Sequence, residues 1–204
     1  MIVKLNSFFN RIFSYVPGHI FGILSTIVGF GGNILAILCY SGYTLDLMIS
    51  ILGTGPGALF FNLGTIFSGI LALPLYFYII QNLSKENLNK ILIQAALISA
   101  VVSCIFFILI GIFPSYENNA FFLYAHGISA LICFISGGVY ISLFSYLFLK
   151  SSQFSNLLAY IGYFHTGLIT LFLFTWIPLT EWFMTVGIII WILSVSFYMI
   201  YKKM

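Results

Sequence analysis

The chain reads as an all-α integral membrane bundle of six transmembrane helices preceded by a short N-terminal interfacial helix, and three observations lead there. Of its 204 residues, 62% are hydrophobic and only 5% are charged, against roughly 25% charged in a soluble domain. Those few charges gather between long apolar runs, the pattern that hydrocarbon imposes on spanning segments. Six of the runs reach the roughly 20 residues that a helix needs to cross a bilayer.

Residues 1–16 are too short and too polar to span. Leu5, Phe8, Phe9, Ile12, Phe13 and Val16 nevertheless recur at helical spacing opposite Lys4, Ser7, Arg11 and Ser14, which predicts an amphipathic helix lying on the cytoplasmic leaflet. A disordered tail is the alternative. Pro17-Gly18 then turns the chain into a six-helix transmembrane domain over 17–204, with spans at approximately 19–40, 57–81, 91–113, 123–149, 156–178 and 183–201. The first apolar run lacks a small-residue cleavage pattern, so it is expected to remain as a span.

Asp46 falls in the first connection, Lys85, Glu86 and Lys90 in the second, Glu117 in the third, Lys150 in the fourth and Glu181 in the fifth. With a cytoplasmic amino terminus, all seven basic residues lie inside and three of the four acidic residues lie outside. That is the asymmetry of the positive-inside rule. The expected location is therefore the cell membrane, multi-pass, with both termini cytoplasmic. The scattered basic residues form no nucleic-acid patch.

Glycines in the first, second and fourth spans, among them Gly29, Gly31, Gly32, Gly64, Gly69 and Gly137-Gly138, let helix backbones approach closely in lipid. Pro74 removes a backbone donor and is expected to kink the second span. Cys39, Cys104 and Cys133 show no CxxC or disulfide pattern and read as small buried hydrophobes. Trp176, Trp182, Tyr40, Tyr43 and Tyr116 fall near the outer boundary, where amphipathic aromatics anchor helices. The two halves of the chain align poorly as an inverted repeat.

The first outer connection, from Ser41 to Gly57, contains the apolar run Leu47-Met48-Ile49 and is expected to fold back over the bundle mouth, with Asp46 and Ser50 facing a polar vestibule. On the same side lie Asn62 in the second span, His126 at the start of the fourth, and Tyr116 and Glu117 in the connection between spans three and four. Together these residues form the candidate binding site, in which a hydrogen bond between Asn62 and His126, direct or through water, is expected to help hold the loop as a lid.

The run Tyr40-Ser41-Gly42-Tyr43, then Ile49-Ser50-Ile51-Leu52-Gly53-Thr54-Gly55-Pro56, then Phe61-Asn62, and later Gly111-Ile112-Phe113-Pro114 followed by His126, resembles the prokaryotic membrane family catalogued as domain of unknown function 998. That family is distantly like the damage-regulated autophagy modulator proteins. The resemblance covers most of the chain and implies a six-span bundle, but no activity. Where that family often carries an acidic residue between the serine and leucine of Ser-x-Leu-Gly, this chain has Ile51.

His165 and Asn33 form a second, intramembrane polar candidate, since an unpaired polar group at such depth needs a partner. Gln94 reads as interhelical glue and His19 as an interfacial residue. On this threading His19, His165 and His126 lie at three different depths. Zinc ligands must meet within a few ångströms, so no metal site is expected. Neither a Gly-x-Ser-x-Gly elbow nor a phosphate-binding glycine loop is present, so no catalytic residue or cofactor is assigned.

Membrane lipids are the expected partners, with a membrane protein as a further possibility. The favoured function is non-enzymatic binding of a lipid, a small amphiphile or a membrane partner in the outer vestibule. A facilitative transporter or channel for a small solute is the alternative, and a lipid-modifying enzyme a second. A continuous polar path through the bundle would favour transport, and a vestibule closed below by packed apolar side chains would favour binding.

Overall fold

The structure is a computed structural model that describes Phe9 and residues 11–204, so the expected amphipathic helix over 1–16 lies for the most part outside the described residues. Within them Phe9 and Arg11–Phe13 are helical. Phe9 is buried, stacked on Phe77 with ring centroids 4.2 Å apart, and Phe13 meets Tyr78 edge-on at 4.9 Å. This end of the segment docks on the bundle, which is more than lying on the leaflet.

Six helices are long and apolar enough to cross a membrane: α1 (Gly18–Leu38), α2 (Ala58–Leu83), α3 (Lys90–Ile112), α4 (Ala120–Lys150), α5 (Asn156–Thr175) and α6 (Pro178–Tyr201). No strand occurs among the described residues. Local chemistry fixes several starts. The Asn89 side chain accepts from the Ile91 N–H at 2.9 Å, Asn119 from Phe122 at 3.3 Å and Ser155 from Leu157 at 3.2 Å, each quenching a donor the first turn leaves open. Pro178 sits in the first turn of α6, where its missing N–H is harmless and its φ is preset.

That proline moves one boundary. The sequence reading begins the last span at 183, whereas α6 begins at Pro178 and so takes in Glu181. Glu181 belongs to a helix, not to the fifth connection.

Each helix packs on its neighbours in the chain, and α6 packs on α1 to close the ring. The start of α1 and the end of α6 lie at one end of the bundle, the terminal end, with the α2–α3 and α4–α5 turns. There the Glu86 carboxylate accepts hydrogen bonds from the Ser151 hydroxyl and the Ser152 N–H, and the Tyr198 hydroxyl donates to the Gln153 carbonyl at 3.0 Å. The other end, the loop end, carries the α1–α2, α3–α4 and α5–α6 connections.

Glycine decides one contact closely. A Cβ on Gly32 would stand 2.6 Å from the Phe60 carbonyl oxygen and one on Gly64 would stand 3.0 Å from the Gly32 Cα, so α1 and α2 cross backbone to backbone. Adjacent Gly31 faces open space. α2 runs through Pro74 without interruption.

The terminal half of the bundle is solid. The Tyr76 and Tyr140 hydroxyls hydrogen-bond each other at 2.7 Å, and Phe144 stacks on Trp191, Tyr76 and Phe148. Leu75, Ile79, Phe144, Leu147, Phe148, Trp191 and Met199 have no more than trace exposure. Cys104 and Cys133 are buried as expected, but Cys39 is exposed, because it caps α1 where that helix leaves the bundle. Gln94 is also exposed. One turn into α3, it faces away from the neighbouring helices it was expected to join.

Candidate functional site

The loop-end half is hollow. The α1–α2 connection folds back into the bundle mouth as a short 3-10 helix, Ile49–Gly53, whose Ile49 and Leu52 are buried against Ala36 and Phe61. The apolar run that looked out of place in a connection is thus the anchor of a lid. Beneath it lies a vestibule of about 170 Å³ bordered by Ile49, Ser50, His126, Trp176 and Glu181.

Glu181 holds the lid from the opposite wall. Its carboxylate accepts the Ile49 N–H at 2.7 Å and interacts with the Ser50 amide, so a 7% exposed acid is satisfied by the free donors at the start of the 3-10 helix. Trp182, the next residue, meets Tyr43 edge-on at 6.1 Å. Trp176 ends α5 with φ 52°, a left-handed conformation that a bulky residue adopts at a cost of about 1–2 kcal/mol. Its ring packs 5.2 Å from Phe172, and both line the vestibule.

The six residues expected at this mouth do not converge. His126 and Ser50 line the vestibule, whereas Asp46, Tyr116 and Glu117 are exposed outside it. Asn62 lies behind the lid, where its Nδ2 donates to the Gly53 carbonyl at 3.1 Å and its buried Oδ1 has no partner. His126 Nδ1 is 2.9 Å from the Phe113 carbonyl. A carbonyl only accepts, so this nitrogen carries the proton and Nε2 remains the ring's acceptor. Asn62 and His126 each hold a different loop by its backbone and make no direct hydrogen bond to each other.

Below the vestibule lies a central cavity of about 160 Å³ to which all six helices contribute. Asn33, Thr65, Phe107, Phe134, Met184 and Thr185 border both spaces, so the two are stacked along the bundle axis. Asn33 is 9% exposed, and its amide makes no hydrogen bond among the described residues. Four of the hydroxyls around it are already committed as donors. Ser25 donates to Ser68 O at 2.9 Å, Thr26 to Gly22 O at 3.0 Å, Thr65 to Phe61 O at 2.9 Å and Ser103 to Cys133 O at 3.0 Å. What the cavity wall has left is the lone pairs of these oxygens together with the Asn33 amide and the Thr185 hydroxyl, each of which can donate or accept.

At the wall between α5 and α6 stands His165, 2% exposed, with its Nδ1 buried and unpartnered. It borders the central cavity together with Asn33, so the two intramembrane polar candidates share one space. Sequence reading did not single out Glu181 or Thr185 for the site. The available signal for Glu181 was Pro178, which marks a helix start and so draws the acid into a first turn.

Comparison of the chain with protein-family models, with curated proteins and with solved structures finds no match in any of the three.

Proposed function

We propose that this polytopic protein resides in the cell membrane with its loop end outside, and that it binds a small amphiphile in the stacked cavities without converting it. The observation that carries this reading is the asymmetry of the interior. Vestibule and central cavity occupy the loop-end half, while the Tyr76–Tyr140 pair, Phe144 and Trp191 close the axis below them. A conduit would need polar space on both sides of that plug. A receptor or carrier needs only the pocket above it, apolar for most of its wall with a few placed polar groups.

Filling the pocket tests the reading. A Cβ on Gly137 would meet only Ser103 Oγ at 3.6 Å and Ile169 Cδ1 at 3.9 Å, so Gly137→Leu reaches into the central cavity without forcing its neighbours at the branch point. Native mass spectrometry of protein extracted in mild detergent is expected to show a co-purified amphiphile on the wild type and its loss in this variant. Flux of small solutes through proteoliposomes containing the wild-type protein would instead favour transport and count against the plug.

A further inference from the structure

We infer that the central cavity is filled from within the bilayer, through a lateral opening between α5 and α6 at which His165 receives the hydroxyl of a neutral, single-chain amphiphile. This rests on the binding function proposed above and adds a route and a ligand class to it.

Two spaces meet at one side chain. The lipid-facing side of the α5–α6 seam carries a groove of about 710 Å³, walled by apolar residues such as Phe164, Leu168, Phe183 and Ile190. The central cavity lies behind it. Among the described residues His165 alone borders both. The seam is thin there because α6 presents Gly187, on which a Cβ would stand 2.5 Å from His165 Nδ1 and 3.1 Å from Leu168 Cδ1. The imidazole itself is the partition.

A partition facing lipid would ordinarily be apolar. His165 makes no hydrogen bond among the described residues, and a buried polar group left unpaired is unfavourable and uncommon. A ligand group that bonds the ring removes that penalty. The chemistry around it narrows the ligand. Among the described residues no Asp, Glu, Lys or Arg borders the groove or the central cavity, so a charged head would lie unpaired in hydrocarbon. The cavity's open polar groups, the Asn33 amide and the Thr185 hydroxyl beside the lone pairs of the committed hydroxyls, call for a head that both donates and accepts. A neutral O–H head satisfies both conditions, while neutral imidazole can accept its proton or donate to its oxygen.

Size agrees with a single chain. About 160 Å³ is close to the roughly 150 Å³ cavity that holds a benzene. It therefore takes a head and the start of a chain, leaving the remainder in the groove.

The test uses full-length protein in phosphatidylcholine vesicles and hexadecanol carrying a diazirine next to its hydroxyl, with labelled peptides mapped by mass spectrometry after photolysis. Label is expected on Leu168 in the groove and on Thr185 or Ile188 in the cavity, competed by hexadecanol and not by hexadecane or hexadecyltrimethylammonium. Gly187→Val thickens the partition and is expected to cut cavity label about tenfold or more while groove label persists. His165→Phe keeps a ring in place and is expected to reduce the preference for hexadecanol over hexadecane about tenfold, the value of one lost hydrogen bond.

Cavity label unchanged by Gly187→Val would overturn the lateral route while leaving the binding function intact, the ligand then arriving through the vestibule. Unchanged alcohol preference in His165→Phe would overturn the role of the imidazole, and it decides the matter if Gly187→Val does not fold. Cross-linking of the groove to a second copy in place of probe would make the seam an oligomer contact and overturn the route. Absence of any amphiphile, added or co-purified, from both cavities would sink the binding function as well.

Discussion

Glu181 shows how a single residue changes meaning once its helix is placed. As a charge between two apolar runs it marks a boundary, but in the first turn of α6 it is a buried acceptor that fastens the lid through the Ile49 N–H at 2.7 Å. Glu181→Ala leaves that donor stranded, and the expected loss is about 1–3 kcal/mol of stability. Glu181→Gln keeps a carbonyl acceptor and is expected to lose less. Thermal unfolding in detergent reads both, and maleimide labelling of Ser50→Cys reports whether the lid opens. Equal melting temperatures for Glu181→Ala and the wild type would show that the lid stands without this bond. Asn62 and His126 are the opposite case: their depth was legible from their place in the spans, but their partners were not. Because Asn62 bonds Gly53 and His126 bonds Phe113, Asn62→Ala and His126→Ala are expected to add in the double variant within about 0.5 kcal/mol. A larger coupling energy would restore the link between the two side chains, direct or through water, that the sequence leads one to expect.

At the scale of elements, the six spans were legible because lipid reduces the problem to length and hydropathy, and five of their six starts lie within three residues of the expected ones. Which face of a span meets which neighbour was not legible, because in lipid both the packed and the lipid-facing sides are apolar. Gly31 and Gly32 illustrate the limit: adjacent and chemically identical, they face open space and the α2 backbone respectively. Gly32→Ala is therefore expected to cost about 1–3 kcal/mol by forcing two backbones apart, and Gly31→Ala to be neutral or slightly stabilising. Comparable losses at both positions would mean that helix propensity, not the α1–α2 crossing, sets their effect. A second element contact is expected to respond to pH. Burial pushes the Glu86 carboxyl up, but hydrogen bonds from Ser151 and Ser152 outweigh it and hold the group below its ordinary value of 4.5. A lowered pKa contributes stability that is present above that ordinary value and is lost as pH falls through the folded one. The clip between the α2–α3 and α4–α5 turns should weaken only in acid, and Glu86→Gln should flatten the melting temperature below pH 4.5. An unchanged acid slope in Glu86→Gln would assign the loss to another group.

For the whole molecule, the decisive long-range fact is the closure of α6 on α1, which turns a row of helices into a ring with an interior. Nothing in the order of apolar runs dictates that closure, so the central cavity was not legible even though Asn33 and His165 were noticed as polar groups at depth. The ring leaves two ends of different character, a hollow loop end and a solid terminal end, and charge relates them to the membrane. Lys85, Lys90, Lys150, Lys202 and Lys203 sit at the terminal end with the turns and the carboxyl terminus, whereas Asp46 and Glu117 sit in loop-end connections. The orientation proposed above follows the positive-inside rule, with the plug toward the cytoplasm and the vestibule toward the exterior. Single cysteines test this, after the exposed Cys39 has been replaced by serine. Asp46→Cys and Glu117→Cys should react with a membrane-impermeant maleimide on intact cells, and Lys85→Cys and Lys150→Cys only after permeabilisation. Glu181 is unsuitable as a reporter, since it is buried under the lid. Reversal of both pairs would turn the molecule over and open the vestibule to the cytoplasm. The stacked cavities would then sample a different pool of ligands, while the lateral seam at His165, which faces the hydrocarbon in either orientation, would keep its access.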